Sequence, residues 1–429
     1  MTITFVGHGY VGLVSASIFA DLGNKVWVIG HTPKKIENLK KGIIPIYEPG
    51  LEEIVKRNVS AGRLLFTLDY VPAVAQSEVI FIAVGTPSTK TGDADLRAVL
   101  DVAEKIGRNL KNYTVVATKS TVPAGTNKKI RKIIEEVKPK GAEFDYASVP
   151  EFLREGQAIS DTLHPDRIVI GTESKKAQDR LIELHKPIGA PLVLTNFDTA
   201  ELIKYAANSF LALKISYANA IAKLSELAGA DGLKVLEGIG KDSRIGDKFL
   251  SPGPGYGGSC FPKDVRALIS IAKDYDYDFG LLTETEQVNS QAKRDVVRKI
   301  RKALPDLKGK TVAVLGLAFK PETDDMRDAP SIDIIELLQK DGARIKAYDP
   351  QAGETSKKVL KDIEYTKDAY EAVKNADAMV VVTEWNEFKE LDTAKIKSLM
   401  RSPNIIDARN IYERDKIEEL GFSYVGVGR

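Results

Sequence analysis

The sequence predicts an α/β protein in which two Rossmann-like, doubly wound domains are joined by a long central helix. Three observations carry that expectation: strand-like runs alternating with amphipathic stretches up to residue 197, an unbroken helical stretch from Thr199, and a restart of the α/β alternation beyond residue 301. Strands that alternate with helices imply a parallel sheet covered on both faces.

The elements follow in chain order. Thr2 to Val6 is a short β-prone run, and Gly7-His8-Gly9-Tyr10-Val11-Gly12 leads from it into a helical apolar pattern that continues through Ala20. Further strand-like runs stand at Val26–Ile29, Val79–Val84, Val115–Ala117 and Asp145–Val149. From Thr199 to about Ala228 there is no Gly or Pro, which predicts one helix ~45 Å long at about 1.5 Å per residue. A helix of that length acts as a spine, and its surplus apolar surface suits a dimer. After a charged helical stretch over Gln287–Ala303, Thr311–Leu315 reads as a strand, Ser331–Leu338 as a helix, and Ile345–Tyr348 and Met379–Thr383 as strands.

Composition sets the limits. A chain of 429 residues exceeds one ordinary core, so two or three domains are expected. Apolar residues at 43% and charged residues at 28% exclude a mostly disordered or collagen-like chain. Lys and Arg number 62 against 60 Asp and Glu, without blocks of like charge, so nucleic acid is not an expected partner. The first twenty residues carry no Lys, Arg, Asp or Glu. They lack the leading cations of a signal peptide, and Gly7, Gly9 and Gly12 interrupt them, so neither export nor membrane insertion is expected. One cysteine forms no internal disulfide, which leaves the cytoplasm as the default compartment.

A G-x-G-x-x-G element gains weight from its setting between a strand and a helix. Glycines there permit a tight turn and close approach of a pyrophosphate to the helix amino end, where unpaired N–H groups and the dipole favour anions. The segment Pro252-Gly253-Pro254-Gly255-Tyr256-Gly257-Gly258-Ser259-Cys260-Phe261-Pro262-Lys263-Asp264 places the only cysteine in a glycine-rich loop. Pro262 suits the first turn of a helix, so Cys260 is expected just before a helix amino end with Lys263 close by, and both effects lower a thiol pKa. Moving a thiol from ~8.5 to ~7 raises its thiolate fraction at neutral pH from roughly 3% to about half. Lys204 and Asn208, four apart on the long helix, share a face and can donate to one oxyanion.

These segments, together with Pro150-Glu151-Phe152-Leu153-Arg154-Glu155-Gly156 and Phe319-Lys320-Pro321-Glu322-Thr323-Asp324-Asp325, resemble the UDP-glucose dehydrogenase family, in order and across essentially the whole chain. The resemblance implies a dinucleotide-binding domain at 1–197, a central helical dimerisation region at 198–300 and a UDP-sugar-binding domain at 301–429. It also implies a homodimer through the central helix and a four-electron oxidation of a sugar C6 alcohol to a carboxylate, with two NAD or NADP molecules used in succession.

Residue by residue, the resemblance makes Cys260 the nucleophile that captures an aldehyde as a thiohemiacetal, oxidised to a thioester and released by water. Lys204 and Asn208 match the groups that steady the oxyanion, and Asp264 matches the carboxylate held beside the cysteine loop. Thr121 and Glu151 match the pair that positions water for proton transfer. Around the substrate the matching positions are Phe152, Leu153, Phe249, Leu250, Ser251, Gly253, Gly257 and Lys320, with Arg244 supplied across a dimer. Around the cofactor they are Gly7, Gly9, Tyr10, Val11, Gly12, Thr86, Thr121, Lys263 and Arg327. No residue set in the pattern calls for a metal.

Three other readings compete. A dehydrogenase of another sugar nucleotide, such as UDP-N-acetylhexosamine or GDP-mannose, shares the chemistry, although Glu151–Gly156 and His164-Pro165-Asp166-Arg167 look more like the UDP-glucose branch. A single-step alcohol dehydrogenase needs no thiol, and a non-catalytic sensor would have shed Cys260, Lys204 or Asp264. One departure stands out: Val26-Trp27-Val28-Ile29 runs into Gly30-His31-Thr32-Pro33-Lys34-Lys35, so Gly30 occupies the place of the acid that accepts from the ribose hydroxyls. With no carboxylate to repel a 2′-phosphate, and with Thr32, His31, Lys34 and Lys35 at hand, NADP is expected to be accepted.

Overall fold

The computed structural model describes residues 1–87, 89 and 93–429. The chain forms two compact units, residues 1–207 with 266–275, and residues 208–265 with 276–429.

The first unit is built on β1 (Thr2–Val6), β2 (Lys25–Ile29), β3 (Leu64–Thr67), β4 (Val79–Ile82), β5 (Thr114–Thr118), β6 (Phe144–Ser148), β7 (Ile168–Thr172) and β8 (Leu192–Thr195), in the order β3-β2-β1-β4-β5-β6-β7-β8. Strands such as Val-Ile-Phe-Ile in β4 and Thr-Val-Val-Ala-Thr in β5 are buried at every position, which is how strands covered on both faces read in sequence. The Phe5 and Phe81 rings stack at 4.8 Å, and Phe19 from the helix α1 (Tyr10–Asp21) closes on them at 6.0 and 6.2 Å.

The sheet is not parallel throughout, as the alternation predicts, because β7 runs antiparallel to β6. The stretch between them holds only a six-residue helix, Ala158–Leu163. A parallel partner needs a crossover that carries the chain back to the strand's starting end, usually on a helix longer than this one. Here the chain instead turns at the carboxyl end of β6 and enters β7 from that side.

The second unit carries β9 (Thr311–Leu315), β10 (Arg344–Tyr348), β11 (Glu364–Tyr365), β12 (Ala378–Val381), β13 (Asn404–Asp407) and β14 (Ser423–Gly426). All neighbours are parallel in the order β11-β10-β9-β12-β13-β14, the strand order of a dinucleotide-binding sheet. The central helix runs over Phe197–Ala228, 32 residues without Gly or Pro, and Gly229 follows it at φ +72°. A second long helix, Gly280–Ala303, buries Val296, Val297 and Ile300 in one core with Ala222, and Thr285 O accepts from Ser216 Oγ at 2.8 Å. Among the described residues no helix is long and apolar enough to cross a membrane.

Candidate active site

The glycine loop sits at the carboxyl ends of β1 and β4, where the strand order reverses and ligands of such sheets bind. Gly7 N donates to Ile29 O at 2.9 Å, and Ala83 N donates to Val6 O at 2.8 Å. Gly7 lies at φ +124°, and a Cβ there would stand 2.3 Å from Ala83 O; one on Gly12 would stand 2.2 Å from Gly7 O. Gly9, the residue before α1, faces open space, since a Cβ there meets nothing within 4 Å. With no acid in the first turn of α1, this cradle fits a pyrophosphate held by helix N–H groups.

Val11, in the first turn of α1, is half-buried. The Tyr10 hydroxyl, by contrast, is committed within the protein: it donates to Glu48 and accepts from Gly156 N at 2.8 Å. Glu48 is buried and also accepts from Gly156 N at 2.6 Å and Ala158 N at 2.7 Å. The pair thus anchors the loop that follows Glu151, a role visible in the sequence only as Tyr47-Glu48-Pro49-Gly50. Thr86 and Thr121 meet across the ends of β4 and β5, with Thr86 Oγ1 donating to Thr121 O at 2.8 Å. Gly30, His31, Thr32 and Lys35 gather at the end of β2, where Thr32 precedes the helix α2 (Pro33–Lys40).

Beyond β6, Glu151 is buried. Its Oε1 lies 3.0 Å from Lys204 Nζ, and its Oε2 accepts from Leu153 N at 2.8 Å. A carboxylate and an ammonium taken out of water together need each other, because desolvation of either alone costs several kcal/mol. The Phe152 ring completes the group: the Arg167 guanidinium lies 3.6 Å from its centroid and Lys204 Nζ 5.2 Å. Sequence reasoning assigns no role to Lys119, which is buried at the end of β5 with Nζ 5.9 Å from the Phe81 centroid. Burial pulls its ammonium down to about 8, a shift that Glu151 opposes and Lys204 reinforces.

In the second unit the cysteine loop is fixed by side-chain amides and backbone. Gly253 N donates to Asn219 Oδ1 at 2.8 Å, Tyr256 N to Asn289 Oδ1 at 2.7 Å, and Gly258 N to Arg327 O at 2.8 Å. Gly258, at φ +85°, has no room for a side chain, since a Cβ would stand 2.7 Å from the Phe319 ring; one on Gly257 would stand 2.3 Å from Asp328 O. Cys260 is half-buried directly before the helix Phe261–Asp274, where its carbonyl accepts from Asp264 N at 2.8 Å. Ser259 Oγ approaches its Sγ at 3.5 Å.

Asp264 is buried, with Oδ2 accepting from Asn208 Nδ2 at 2.6 Å and Oδ1 paired with Lys263 Nζ. One Asn208 N–H is therefore spent on Asp264 and one remains. The Lys263 charge, expected beside the thiol, is directed at this carboxylate. Phe249 adopts φ +65°, a conformation that costs a non-glycine residue about 1–3 kcal/mol; Leu250 is buried and Ser251 exposed. Lys320 Nζ lies 5.7 Å from the Phe319 centroid. Arg244 is exposed and paired with Asp242 at 2.6 Å, and Arg327 pairs with Asp325 at the same distance.

Comparison with known proteins converges on one family. Residues 1–189 match the NAD binding domain of the UDP-glucose/GDP-mannose dehydrogenase family, residues 198–291 its central domain and residues 313–414 its UDP binding domain. The chain is 50% identical over 436 residues to a UDP-glucose 6-dehydrogenase of Rhizobium meliloti (strain 1021), covering 100% of both chains. It superposes on a UDP-glucose dehydrogenase from the hyperthermophilic archaeon Pyrobaculum islandicum with a TM-score of 0.93 at 39% identity, covering 99% of this chain and 97% of that one. A UDP-D-ManNAc dehydrogenase from Pyrococcus horikoshii gives a TM-score of 0.89 at 30% identity, covering 100% and 99%.

Proposed function

Because the chain belongs to the UDP-glucose/GDP-mannose dehydrogenase family, we propose that it oxidises UDP-glucose to UDP-glucuronate in two two-electron steps through a covalent adduct on Cys260. The observation that carries this reading is the chain's one thiol, half-buried at a helix amino end in a loop clamped by Asn219, Asn289 and Arg327 O. A bound nicotinamide dinucleotide supplies the hydride acceptor for each oxidation.

The protein's own groups do the rest. The Gly7–Gly12 loop and the amino end of α1 hold the pyrophosphate. Loss of a hydride from C6 and of a proton from its hydroxyl leaves an aldehyde, and the Cys260 thiolate adds to its carbon, placing negative charge on the oxygen. Lys204 and the spare N–H of Asn208 stabilise that charge with donors fixed before the reaction begins. A second hydride departs and leaves a thioester. Water, positioned by Thr121 and Glu151, then attacks the acyl carbon; the C–S bond breaks, the thiolate is regenerated and the carboxylate leaves. Asp264, held between Lys263 and Asn208, keeps the donors of this region in place and is assigned the uptake of a proton.

The UDP portion is assigned to the loop from Phe249 to Gly257 and to Lys320, with the cation suited to a diphosphate. A second copy of the chain is assigned to the central helix. Phe210, Tyr217 and Leu224 recur there every seven residues and are 61%, 51% and 60% exposed, the spacing of a self-associating helical seam, and Arg244 would reach the partner's site. The cytoplasm suits a chain with a lone thiol.

Two reduced cofactors per UDP-glucose consumed are expected, followed by absorbance. A ratio of one with free aldehyde would overturn the covalent route. The kinship to the UDP-D-ManNAc dehydrogenase marks the second reading, another sugar nucleotide, and a substrate panel in the same assay decides between them.

A further inference from the structure

At the end of β2 the protein departs from what an NAD site requires, and the departure is built into its packing. Units of this kind place an Asp or Glu about twenty residues past the glycine loop, where it accepts from the ribose 2′-hydroxyl. Gly30 stands there, with its N–H donating to Thr67 O at 3.0 Å. The space a side chain would use is occupied, since a Cβ on Gly30 would come 2.4 Å from Ile36 Cδ1 and 2.9 Å from His8 Nδ1. A histidine nitrogen lies where the carboxylate would begin.

That nitrogen is unusual in itself. His8 is only 5% exposed, and its Nδ1 has no hydrogen-bond partner among the described residues. A buried polar atom left unpaired is costly and calls for a partner that arrives from elsewhere. The His8 ring meets His31 edge-on with centroids 4.9 Å apart. Beside them α2 begins, and its first turn holds no acid. The Thr32 hydroxyl makes no capping bond to it. Lys34 is 3.9 Å from Glu37, whereas Lys35 has no ion pair among the described residues. Burial, then the charges of His31 and Lys35, hold His8 down to about 4, so these groups crowd one another in the absence of an anion.

Resting on the dinucleotide reading above, we propose that this cluster is a receptor for the 2′-phosphate of NADP, with His8, His31, Thr32, Lys35 and the amino end of α2 in the place of the ribose-binding acid. A phosphate accepts the bond that His8 Nδ1 has spare, gives Thr32 an acceptor, and pairs with the Lys35 ammonium. A ribose hydroxyl does none of the last. NADP is thereby the preferred dinucleotide, not merely a tolerated one.

The test is calorimetric binding of NADP⁺ and NAD⁺ to the purified enzyme, with adenosine 2′,5′-bisphosphate and ADP as fragments that carry or lack the 2′-phosphate. NADP⁺ is expected to bind about tenfold tighter or better, the size of one charge-assisted contact, and the bisphosphate to outbind ADP. Lys35→Glu and His31→Ala alter exposed side chains that the fold does not need, and each should lower the NADP⁺:NAD⁺ affinity ratio by about tenfold. Equal or tighter binding of NAD⁺, or a ratio that neither variant moves, overturns the assignment. UDP-glucose oxidation with NAD⁺ under those circumstances leaves the dehydrogenase reading standing, whereas failure of both dinucleotides to bind overturns both.

Discussion

Lys204 Nζ lies 3.0 Å from Glu151 Oε1, and both side chains are buried, at 3% and 7% exposure. Removing one partner of such a pair strands the other, which costs about 3–5 kcal/mol; Lys119 remains close to Glu151 and holds the loss near the lower end. Lys204→Ala is therefore expected to lower the thermal midpoint and to reduce kcat by about 10²–10³. Adding Glu151→Gln should restore the midpoint and leave turnover low. Scanning fluorimetry beside initial rates checks it, and recovery of turnover in the double variant would remove Lys204 from the chemistry.

Cys260→Ser should bind UDP-glucose with little change yet lose turnover by about 10³-fold or more, because an alkoxide forms far less readily than a thiolate. Titration calorimetry measures the first quantity and single-turnover absorbance the second. Wild-type rates in the variant would rule out capture by sulfur.

Asn208→Ala leaves Asp264 Oδ2 without its 2.6 Å donor, an expected loss of about 1–3 kcal/mol in stability and of about 10² in kcat. Asn208→Asp instead sets two carboxylates against each other, so one must hold a proton. Relative to the alanine variant, its activity should gain as pH falls, because protonation relieves that repulsion. Parallel pH profiles of the two variants would show that Asn208 acts independently of Asp264.

His185 supplies a pH dependence of stability. Its ring is buried against Phe19 and Phe81, Nδ1 bonds to Leu181 O at 2.8 Å, and burial holds it down to about 4 from 6.5. The unfolded chain takes up a proton below about 6.5 that the folded ring refuses, so stability is complete above that pH and falls as pH drops toward 4, by about 3 kcal/mol at most. Urea midpoints at several pH values between these limits should show a shallower decline in His185→Phe than in the parent. Superimposable curves would assign the acid sensitivity to other groups.

The strands legible in the sequence are those buried on both faces, where β-branched and aromatic residues run together: β1, β4, β5 and β9. β11, with two residues, is too short to form a pattern, and β8 is exposed along its apolar side chains. The turn into antiparallel β7 depends on how the chain leaves Glu151, which no local periodicity encodes. The cysteine loop is legible because glycines crowded around one thiol strip away the side chains that would otherwise shield it from a ligand. Burial of Glu151 is not legible, since its partner lies 53 positions away. The tie of Tyr10 to Gly156 spans 146 positions, and in the sequence that tyrosine reads only as part of a phosphate loop.

The lone thiol also exposes the protein to oxidants. Peroxide attack on a thiolate gives a sulfenic acid, and many proteins rescue that state by closing a disulfide with a second cysteine of their own. This chain has none. Repair of Cys260 must come from a soluble thiol before further oxidation to the sulfinic acid makes the loss permanent. The same feature gives the bench a clean reporter: a thiol-directed alkylating reagent can label the unfolded or folded chain at one position only, and its rate reads the state of that loop without background.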